Sequence, residues 1–301
     1  MVLGAESSLT HFLLQPLPQF CRRPHMQPMA NMALRAARRA GQIIVRAMDR
    51  VDLLTIEEKQ KNDLVSEVDR AAEASIVEIL HKAFPDHAII GEESGHIVKG
   101  SGEYTWIIDP LDGTTNFLHG IPHFAVSIGC LFKGRPEHAV VLDPVRDESF
   151  VASRGKGAQL NEKRIRVTRR AHLDSAVVGT GIPFRDLDAH LGSYMAQLEA
   201  VTRKTRGVRR GGSAALDLAY VAAGRLDAFW EIGLKPWDMA AGVLLITEAG
   251  GLVSDFEGGE RFLETGNIVC GNPKCFKELL QTIAPHMTQG MKRVPAEARS
   301  D

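Results

Sequence analysis

Apolar positions recur at helical spacing in two segments of the first hundred residues. In residues 26–50 apolar side chains repeat about every 3.6 positions and arginines occupy the opposite face, which predicts an amphipathic helix. A second helix is predicted over residues 69–83 and ends before Pro85. Its apolar stripe is formed by Ile76, Ile79, Leu80 and Phe84. Both helices therefore have one face that must be buried.

Short apolar runs between glycines and prolines predict strands. HAII stops at Gly91 and TWIID stops at Pro110, and each run leads into an acidic loop. FAVSIGCLF, HAVVLDPV and ESFVASR follow as successive strands of one sheet. Beyond Val167 short strands (SAVVGTG, DAFWEIG, GGLVSDF, NIVCGN) alternate with helices, which are predicted over residues 187–203, in SAALDLAYVAAG and after Trp237.

This change of pattern divides the chain. We expect residues 1–25, with three prolines and no sustained period, to be a disordered extension. Residues 26–167 are predicted to form an α+β subdomain that carries the acidic loops, and residues 168–287 an α/β subdomain. Residues 288–301 are predicted to be a charged tail.

Composition narrows the class of protein. The chain has 301 residues, 44% of them hydrophobic, and its 36 basic and 37 acidic side chains give a net charge of −1. This balance creates no whole-molecule attraction to nucleic acid or to an anionic membrane. The four cysteines form no Cys-x-x-Cys pair, and the N-terminal apolar stretch is too short to span a bilayer. We expect a cytoplasmic protein with reduced thiols and no membrane association.

The strongest chemical signal is the segment WIIDPLDGTTNFLHG. Taken alone, its Asp-Gly dipeptide indicates a turn. However, Asp109 and Asp112 place two carboxylates on a loop stiffened by Pro110, and these are hard oxygen ligands. Gly113 and Thr114 add backbone N–H groups that suit a phosphate. The segment therefore predicts a site for a divalent cation and a phosphate.

Further acids stand at the ends of other predicted elements. Glu92 and Glu93 follow the strand HAIIG, Asp69 ends NDLVSEVD, and Asp238 precedes an apolar helix as a candidate N-cap. Each alone is better explained as a solvated loop residue or a helix cap. Together they predict a functional site, because α/β folds carry their sites on such loops.

At these residues the sequence resembles the inositol monophosphatase family of lithium-sensitive, magnesium-dependent phosphatases, especially its bacterial branch. WIIDPLDGTTNFLH, WDMAAGVLLITEAGG, GEES and GSAALDLAYVAAG carry the resemblance, which extends over residues 26–286. It implies a mixed α+β and α/β fold, a layered α-β-α-β-α sandwich of the inositol monophosphatase and fructose-1,6-bisphosphatase type, usually assembled as a homodimer. It also implies two or three Mg²⁺ ions per subunit.

The resemblance assigns roles residue by residue. Metal ligands would be Glu92, Asp109, the carbonyl of Leu111, Asp112 and Asp238, with Asp109 bridging two ions and a weaker third ion held by Glu92 through water. Thr114 and Asp69, with Glu92 nearby, would orient the attacking water. Substrate contacts would be Asp112, Gly113, Thr114, Arg209, Ala214, Glu231 and Asp238. Lys59 lies near the family's loop lysine, with a spacing that differs by one residue from animal members.

The implied reaction is hydrolysis of inositol monophosphate to inositol and phosphate by metal-activated water. Fructose-1,6-bisphosphatase and 3′-phosphoadenosine 5′-phosphate phosphatase activities remain alternatives, because related folds share the metal motifs. An interaction role in ribosomal RNA antitermination, with antitermination factors or RNA polymerase as partners, is an alternative of another class.

Other conspicuous residues have ordinary explanations. His119 and His123 lie on a loop broken by Gly and Pro, so hydrogen bonding is favoured over zinc binding. Cys270 and Cys275 have no second Cys/His pair nearby and are expected to be buried free thiols. The basic runs RIRVTRR and KTRGVRR indicate a solvated or subunit-facing surface.

Overall fold

A computed structural model describes residues 26–53, 56–60, 63–183, 187–288 and 291, and the side chains of these residues except 52–65. The predicted disordered extension and most of the predicted tail lie outside the described residues. The side chain of Lys59 does too. Within the described residues, no helix combines the length and the apolar composition needed to cross a membrane.

The chain begins with a pair of packed helices. Helix α1 (Pro28–Ala47) is followed by a 3₁₀ segment (Met48–Leu53), a hairpin of β1 (Ile56–Gln60) and β2 (Asp63–Ser66), and helix α2 (Glu67–Ala83). The two predicted helices are confirmed. Helix α2 begins two residues before its predicted start, because the Ser66 hydroxyl caps it by accepting the N–H of Val68.

The first sheet is largely antiparallel. Its elements in chain order are β3 (Ala88–Gly91), β4 (Gly95–Val98), β5 (Tyr104–Asp112), helix α3 (Thr114–Leu118), β6 (Ala125–Phe132), β7 (Arg135–Asp143), β8 (Glu148–Ser153), β9 (Gly157–Leu160) and β10 (Lys163–Arg164). Within the described residues the order is β10-β9-β8-β7-β6-β5-β3-β4, with only the β3–β5 pair parallel.

The C-terminal end of strand β5 differs from the predicted one. The sequence predicted that it stops at Pro110, but it continues to Asp112 with a shift in register between Asp109 and Asp112. Asp109 pairs with Ser127 and Asp112 with Ala125, so two residues of β5 lie opposite one residue of β6. A bulge of this kind accommodates a proline, which has no N–H to donate to the neighbouring strand.

The second sheet is built from the remainder of the chain. After a 3₁₀ turn (Leu173–Ser175) come β11 (Val177–Thr180), α4 (Leu187–Thr202), β12 (Gly207–Arg209), α5 (Ala214–Ala222), β13 (Ala228–Glu231), α6 (Pro236–Glu248), β14 (Leu252–Ser254), α7 (Phe262–Thr265), β15 (Ile268–Gly271), α8 (Pro273–Ile283) and a 3₁₀ turn (Ala284–His286). In the described part of the chain the sheet order is β12-β11-β13-β15-β14, and β11 runs parallel to both neighbours.

These elements stack as helices, sheet, helices, sheet and helices, which confirms the predicted α-β-α-β-α sandwich. Helices α1 and α2 cover one face of the first sheet, α5 and α6 fill the space between the sheets, and α4 and α8 pack on the second sheet. The first sheet and the middle layer approach closely: a Cβ at Gly129 of β6 would lie 2.8 Å from the Cβ of Ala240 in α6. Strands on either side of Val167 belong to different sheets, and the division into two subdomains stays a prediction.

The three cysteines of the described residues, Cys130, Cys270 and Cys275, are buried and free. Cys270 lies in β15 and Cys275 in α8, each packed in a hydrophobic core. The prediction that these two are buried thiols is confirmed.

Candidate active site

A cleft of about 620 Å³ opens where the loops of the two sheets meet. Its volume lies in the range of small-ligand sites. Among the described residues, the side chains that line it include six carboxylates, from the ends of β3, β5 and β13 and from α5 and α6. They are Glu92, Asp109, Asp112, Asp217, Glu231 and Asp238.

Three of these carboxylates form a tight cluster. Each of Asp109, Asp112 and Asp238 offers an oxygen, and these oxygens lie within 4.8 Å of one another. Burial raises the pKa of Asp109 well above its usual range, and the charges of Glu92, Asp112 and Asp238 raise it further. Burial and the charge of Asp238 raise the pKa of Asp112 to about 7. An all-oxygen cluster in which like charges repel fits a hard divalent cation, which would neutralise them.

The neighbouring elements fix the orientation of each acid. The Asp112 Oδ2 accepts the Ser213 hydroxyl at 2.5 Å and the Ala215 N–H at 2.7 Å, so the start of α5 holds this carboxylate. The Asp109 Oδ1 accepts the Leu111 N–H at 3.0 Å across the bulge. Both bonds to Asp112 use its Oδ2, and the bond to Asp109 uses its Oδ1.

Asp238 was predicted as a candidate N-cap of its helix, and this is wrong. The cap residue of α6 is Lys235, and Asp238 is the third residue of the helix. Its Oδ2 accepts the Lys235 N–H at 2.7 Å. Pro236 at the first helical position moves the helix start upstream, because a proline there loses no hydrogen bond.

Thr114 and Asp69 meet at the edge of the cleft. The Thr114 Oγ1 lies 2.9 Å from Asp69 Oδ1 and 3.0 Å from the carbonyl oxygen of Leu111. The other oxygen of Asp69 accepts the N–H of Ser66 at 2.9 Å and its hydroxyl at 2.5 Å. Burial raises the pKa of Asp69, opposed by the bonds from Ser66 and Thr114. Asp69 does not itself line the cleft: one of its oxygens accepts from Ser66 at the start of α2, and the other contacts Thr114, which does line the cleft.

The backbone at Gly113 requires glycine. Its φ is +100°, and a Cβ there would lie 3.2 Å from the Gly212 carbonyl, the His123 carbonyl and the Phe124 Cβ. This conformation starts α3 directly after Asp112 and turns the chain back into the cleft. The N–H groups of Gly113 and Thr114 belong to this first turn, where helical N–H groups have no partner within the helix.

Of the predicted substrate contacts, Ala214 and Glu231 line the cleft and Arg209 does not. Arg209 is the exposed last residue of β12, and its guanidinium donates to the Val208 carbonyl at 3.0 Å. The next residue, Arg210, lines the cleft instead, since successive side chains of an extended segment point to opposite sides. The assignment of Arg209 is corrected accordingly. Burial raises the pKa of Glu231 well above its usual range.

Sequence reasoning missed several cleft residues. Asn116 is 5% exposed, and its Nδ2 donates to the His123 carbonyl at 2.7 Å and to the Gly211 carbonyl at 3.0 Å. It thus ties the loop after α3 to the loop that follows β12. Asp217, a lone acid in the apolar helix SAALDLAYVAAG, offered a signal that was not used. Asn116 offered a weaker one, its position directly after the Asp-Gly-Thr-Thr motif.

A sequence model of the inositol monophosphatase family matches residues 25–289, which include every acid of the cleft. The chain belongs to the inositol monophosphatase family. The resemblance inferred from the motifs is thereby confirmed. The match ends before Met291, a residue that the structure buries.

The relatives of this chain carry two kinds of name, SuhB and inositol monophosphatase. The protein named Nus factor SuhB from Pseudomonas aeruginosa is 61% identical over 272 residues, which are 89% of this chain and 100% of the relative. The solved extragenic suppressor protein suhB from Bartonella henselae has a TM-score of 0.83 at 44% identity, covering 85% of this chain and 98% of that one. The solved inositol monophosphatase from Anabaena (Nostoc) has a TM-score of 0.74 at 37% identity, covering 88% and 96%.

Proposed function

We propose that this member of the inositol monophosphatase family is a magnesium-dependent phosphomonoesterase that hydrolyses inositol monophosphate to inositol and phosphate. The observation that carries the proposal is the cluster of Asp109, Asp112 and Asp238 beside the hydrogen-bonded pair of Thr114 and Asp69. The name of the Anabaena relative supports the choice of substrate.

The proposed metal ligands are Glu92, Asp109, the Leu111 carbonyl, Asp112 and Asp238. All of them line the cleft, and all offer oxygen, the donor that Mg²⁺ prefers. Magnesium at such a site lowers the pKa of a water molecule and stabilises negative charge on the phosphate and the leaving oxygen. We propose that these residues would hold two or three ions, with Asp109 as the central ligand of the cluster.

Thr114 and Asp69 are proposed to orient the attacking water. A hydroxyl has one hydrogen, and when Thr114 donates it to Asp69 its oxygen lone pairs remain available to accept from a water. As the water attacks phosphorus, the bond between phosphorus and the inositol oxygen breaks. The proton of the water passes to the Thr114 oxygen while the Thr114 proton passes to Asp69, and the released inositol oxygen takes a proton from solvent. The raised pKa of Asp69 makes its carboxylate a better proton acceptor than an exposed aspartate.

The remaining cleft residues bind the two parts of the substrate. We assign the phosphate oxygens to the N–H groups of Gly113 and Thr114, at the start of α3. We assign the polyol hydroxyls to the far side of the cleft. Its proposed contacts are Asp112, Ala214, Glu231 and Asp238.

The test is phosphate release from inositol 1-phosphate by the purified protein, with and without Mg²⁺. Asp109→Asn should lower kcat/KM at least about 10²-fold, because it removes a negative charge from the proposed metal ligands. Asp86→Asn, an exposed acid outside the cleft, is the control and should leave kcat/KM unchanged. Fructose 1,6-bisphosphate and 3′-phosphoadenosine 5′-phosphate serve as competing substrates. Full activity of Asp109→Asn, or activity without a divalent cation, would refute the proposal.

A second candidate function is an interaction role in transcription antitermination, with antitermination factors or RNA polymerase as partners. The observation that favours it is the name Nus factor of the relative that is 61% identical. Complementation of a deletion strain separates the two functions. Full rescue by Asp109→Asn would favour the interaction role, and failure of a folded Asp109→Asn protein to rescue would favour catalysis.

A further inference from the structure

Met291 lies in a core although the sequence predicted a charged tail there. The residue is 1% exposed and belongs to the hydrophobic cluster between the second sheet and helices α4 and α8, with Tyr194 and Trp230. It lies two positions beyond the end of the family match. The residues matched by the family model therefore do not include Met291.

Polar side chains hold Met291 in this position. Its carbonyl oxygen accepts a hydrogen bond from Asn267 Nδ2 at 2.7 Å. The Ser193 hydroxyl and Gln197 Nε2 lie 3.4 Å and 3.9 Å from its sulfur. Asn267 and Gln197 are 4% and 0% exposed, so solvent water has little access to replace a lost hydrogen bond.

The same two amides also hold the wall of the cleft. Asn267 Oδ1 accepts the Gly233 N–H at 3.2 Å, and Gln197 Oε1 accepts the Trp230 indole N–H at 3.1 Å. Trp230 and Gly233 stand on either side of Glu231, the proposed polyol contact. The next residue, Leu234, lines the cleft and donates its N–H to the Gly266 carbonyl at 2.8 Å. Met291 is thus one side chain away from both ends of this wall.

We infer that Met291 is a positioning residue, which fixes the wall segment 230–234 through Asn267 and Gln197 without touching the substrate. The assignment of that wall to the polyol rests on the proposed function. Without Met291 the side-chain amides of Asn267 and Gln197 lose one partner each. They can then reorient, because buried polar groups form hydrogen bonds with whatever partners are available. A displacement of about 1 Å in a binding group is enough to cost about 10²-fold in rate.

Two truncated chains test the inference, one ending after Gly290 and one ending after Arg293. The chain that ends after Gly290 should show a KM for inositol 1-phosphate raised at least about tenfold. Its kcat/KM for p-nitrophenyl phosphate, which has no polyol, should stay within about twofold of the full chain. The chain that ends after Arg293 keeps Met291 and should match the full chain on both substrates. An unchanged KM, or a parallel loss on both substrates, would overturn the inference.

Full-length variants test the same inference if a truncated chain fails to fold. Met291→Asp should reproduce the rise in KM by placing a charge in an apolar core, and Met291→Leu should retain the normal value. Hydrogen exchange gives a readout that needs no turnover: the Gly233 and Leu234 amides should exchange faster in Met291→Asp, while those of β5 remain protected. A full chain that hydrolyses neither substrate contradicts the proposed function alone. Unchanged exchange at Gly233 and Leu234 contradicts the positioning role.

Discussion

Replacing Asp112 by asparagine tests the electrostatics of the acidic cluster directly. The amide has nearly the shape of the carboxylate, and its oxygen can still accept from the Ser213 hydroxyl and the Ala215 N–H. The substitution therefore removes a negative charge beside Asp109 and Asp238 with little change in packing. We expect the variant to be more stable than the wild type when no metal is bound, and less stabilised by Mg²⁺.

The size of the effect follows from the pKa of Asp112. Burial, with the charge of Asp238, raises this pKa from 3.8 to about 7. About three pKa units at about 1.36 kcal/mol each set an upper limit of about 4 kcal/mol. Asp112 is only partly buried, so solvent screens part of the repulsion, and we expect about 1 to 4 kcal/mol.

The pH dependence has a definite sign. Because the pKa is higher in the folded than in the unfolded protein, the folded state binds more protons between about pH 4 and pH 7. The metal-free wild type therefore loses stability as the pH rises through this window. The advantage of Asp112→Asn should be near zero at pH 4 and largest above pH 7.

Urea unfolding at pH 4.5 and pH 8, in EDTA and in Mg²⁺, measures the free energies of unfolding of the wild type and of Asp112→Asn. A gain in unfolding free energy that is several times larger at pH 8 than at pH 4.5 supports the reasoning. The same gain at both values, or none at pH 8, would refute it. Equal stabilisation of the two proteins by Mg²⁺ would show that Asp112 is not a metal ligand.

Two further predictions concern the residues next to the cluster. Thr114→Val should lower kcat by about 10² to 10⁴-fold, because it removes the hydroxyl bonded to Asp69, while Thr114→Ser should retain most activity. The measurement is steady-state kinetics in saturating Mg²⁺. A wild-type kcat in the valine variant would contradict the proposed proton transfer through Thr114. Gly113→Ala should lower the free energy of unfolding by about 1 to 3 kcal/mol, because its φ is +100° and three atoms lie 3.2 Å from the new Cβ. Gly120→Ala, with positive φ but open space, is its control in urea unfolding and should cost less.

The sequence determined the local elements and the chemistry of the cleft. Periodicity found α1 and α2, and turn residues bounded the strands β3 and β6. Helix α8 was not predicted, although Asn272 and Pro273 form a recognisable helix start: the Asn272 side chain accepts the N–H groups of Lys274 and Cys275. The acidic motifs identified four of the six carboxylates that line the cleft, Glu92, Asp109, Asp112 and Asp238, because acids at the ends of several strands and helices come together where an α/β fold carries its site.

Only the tertiary structure decided which of these residues meet. Asp69 and Thr114 are 45 positions apart, and their contact depends on the packing of α2 beside β5. The register at the end of β12 placed Arg210 in the cleft rather than Arg209. Met291 lies in a segment that reads as a charged tail, yet the second sheet and its helices bury it. Periodicity reports the environment along an element, whereas contacts between distant positions are set by sheet order, register and layer packing, which no local pattern encodes.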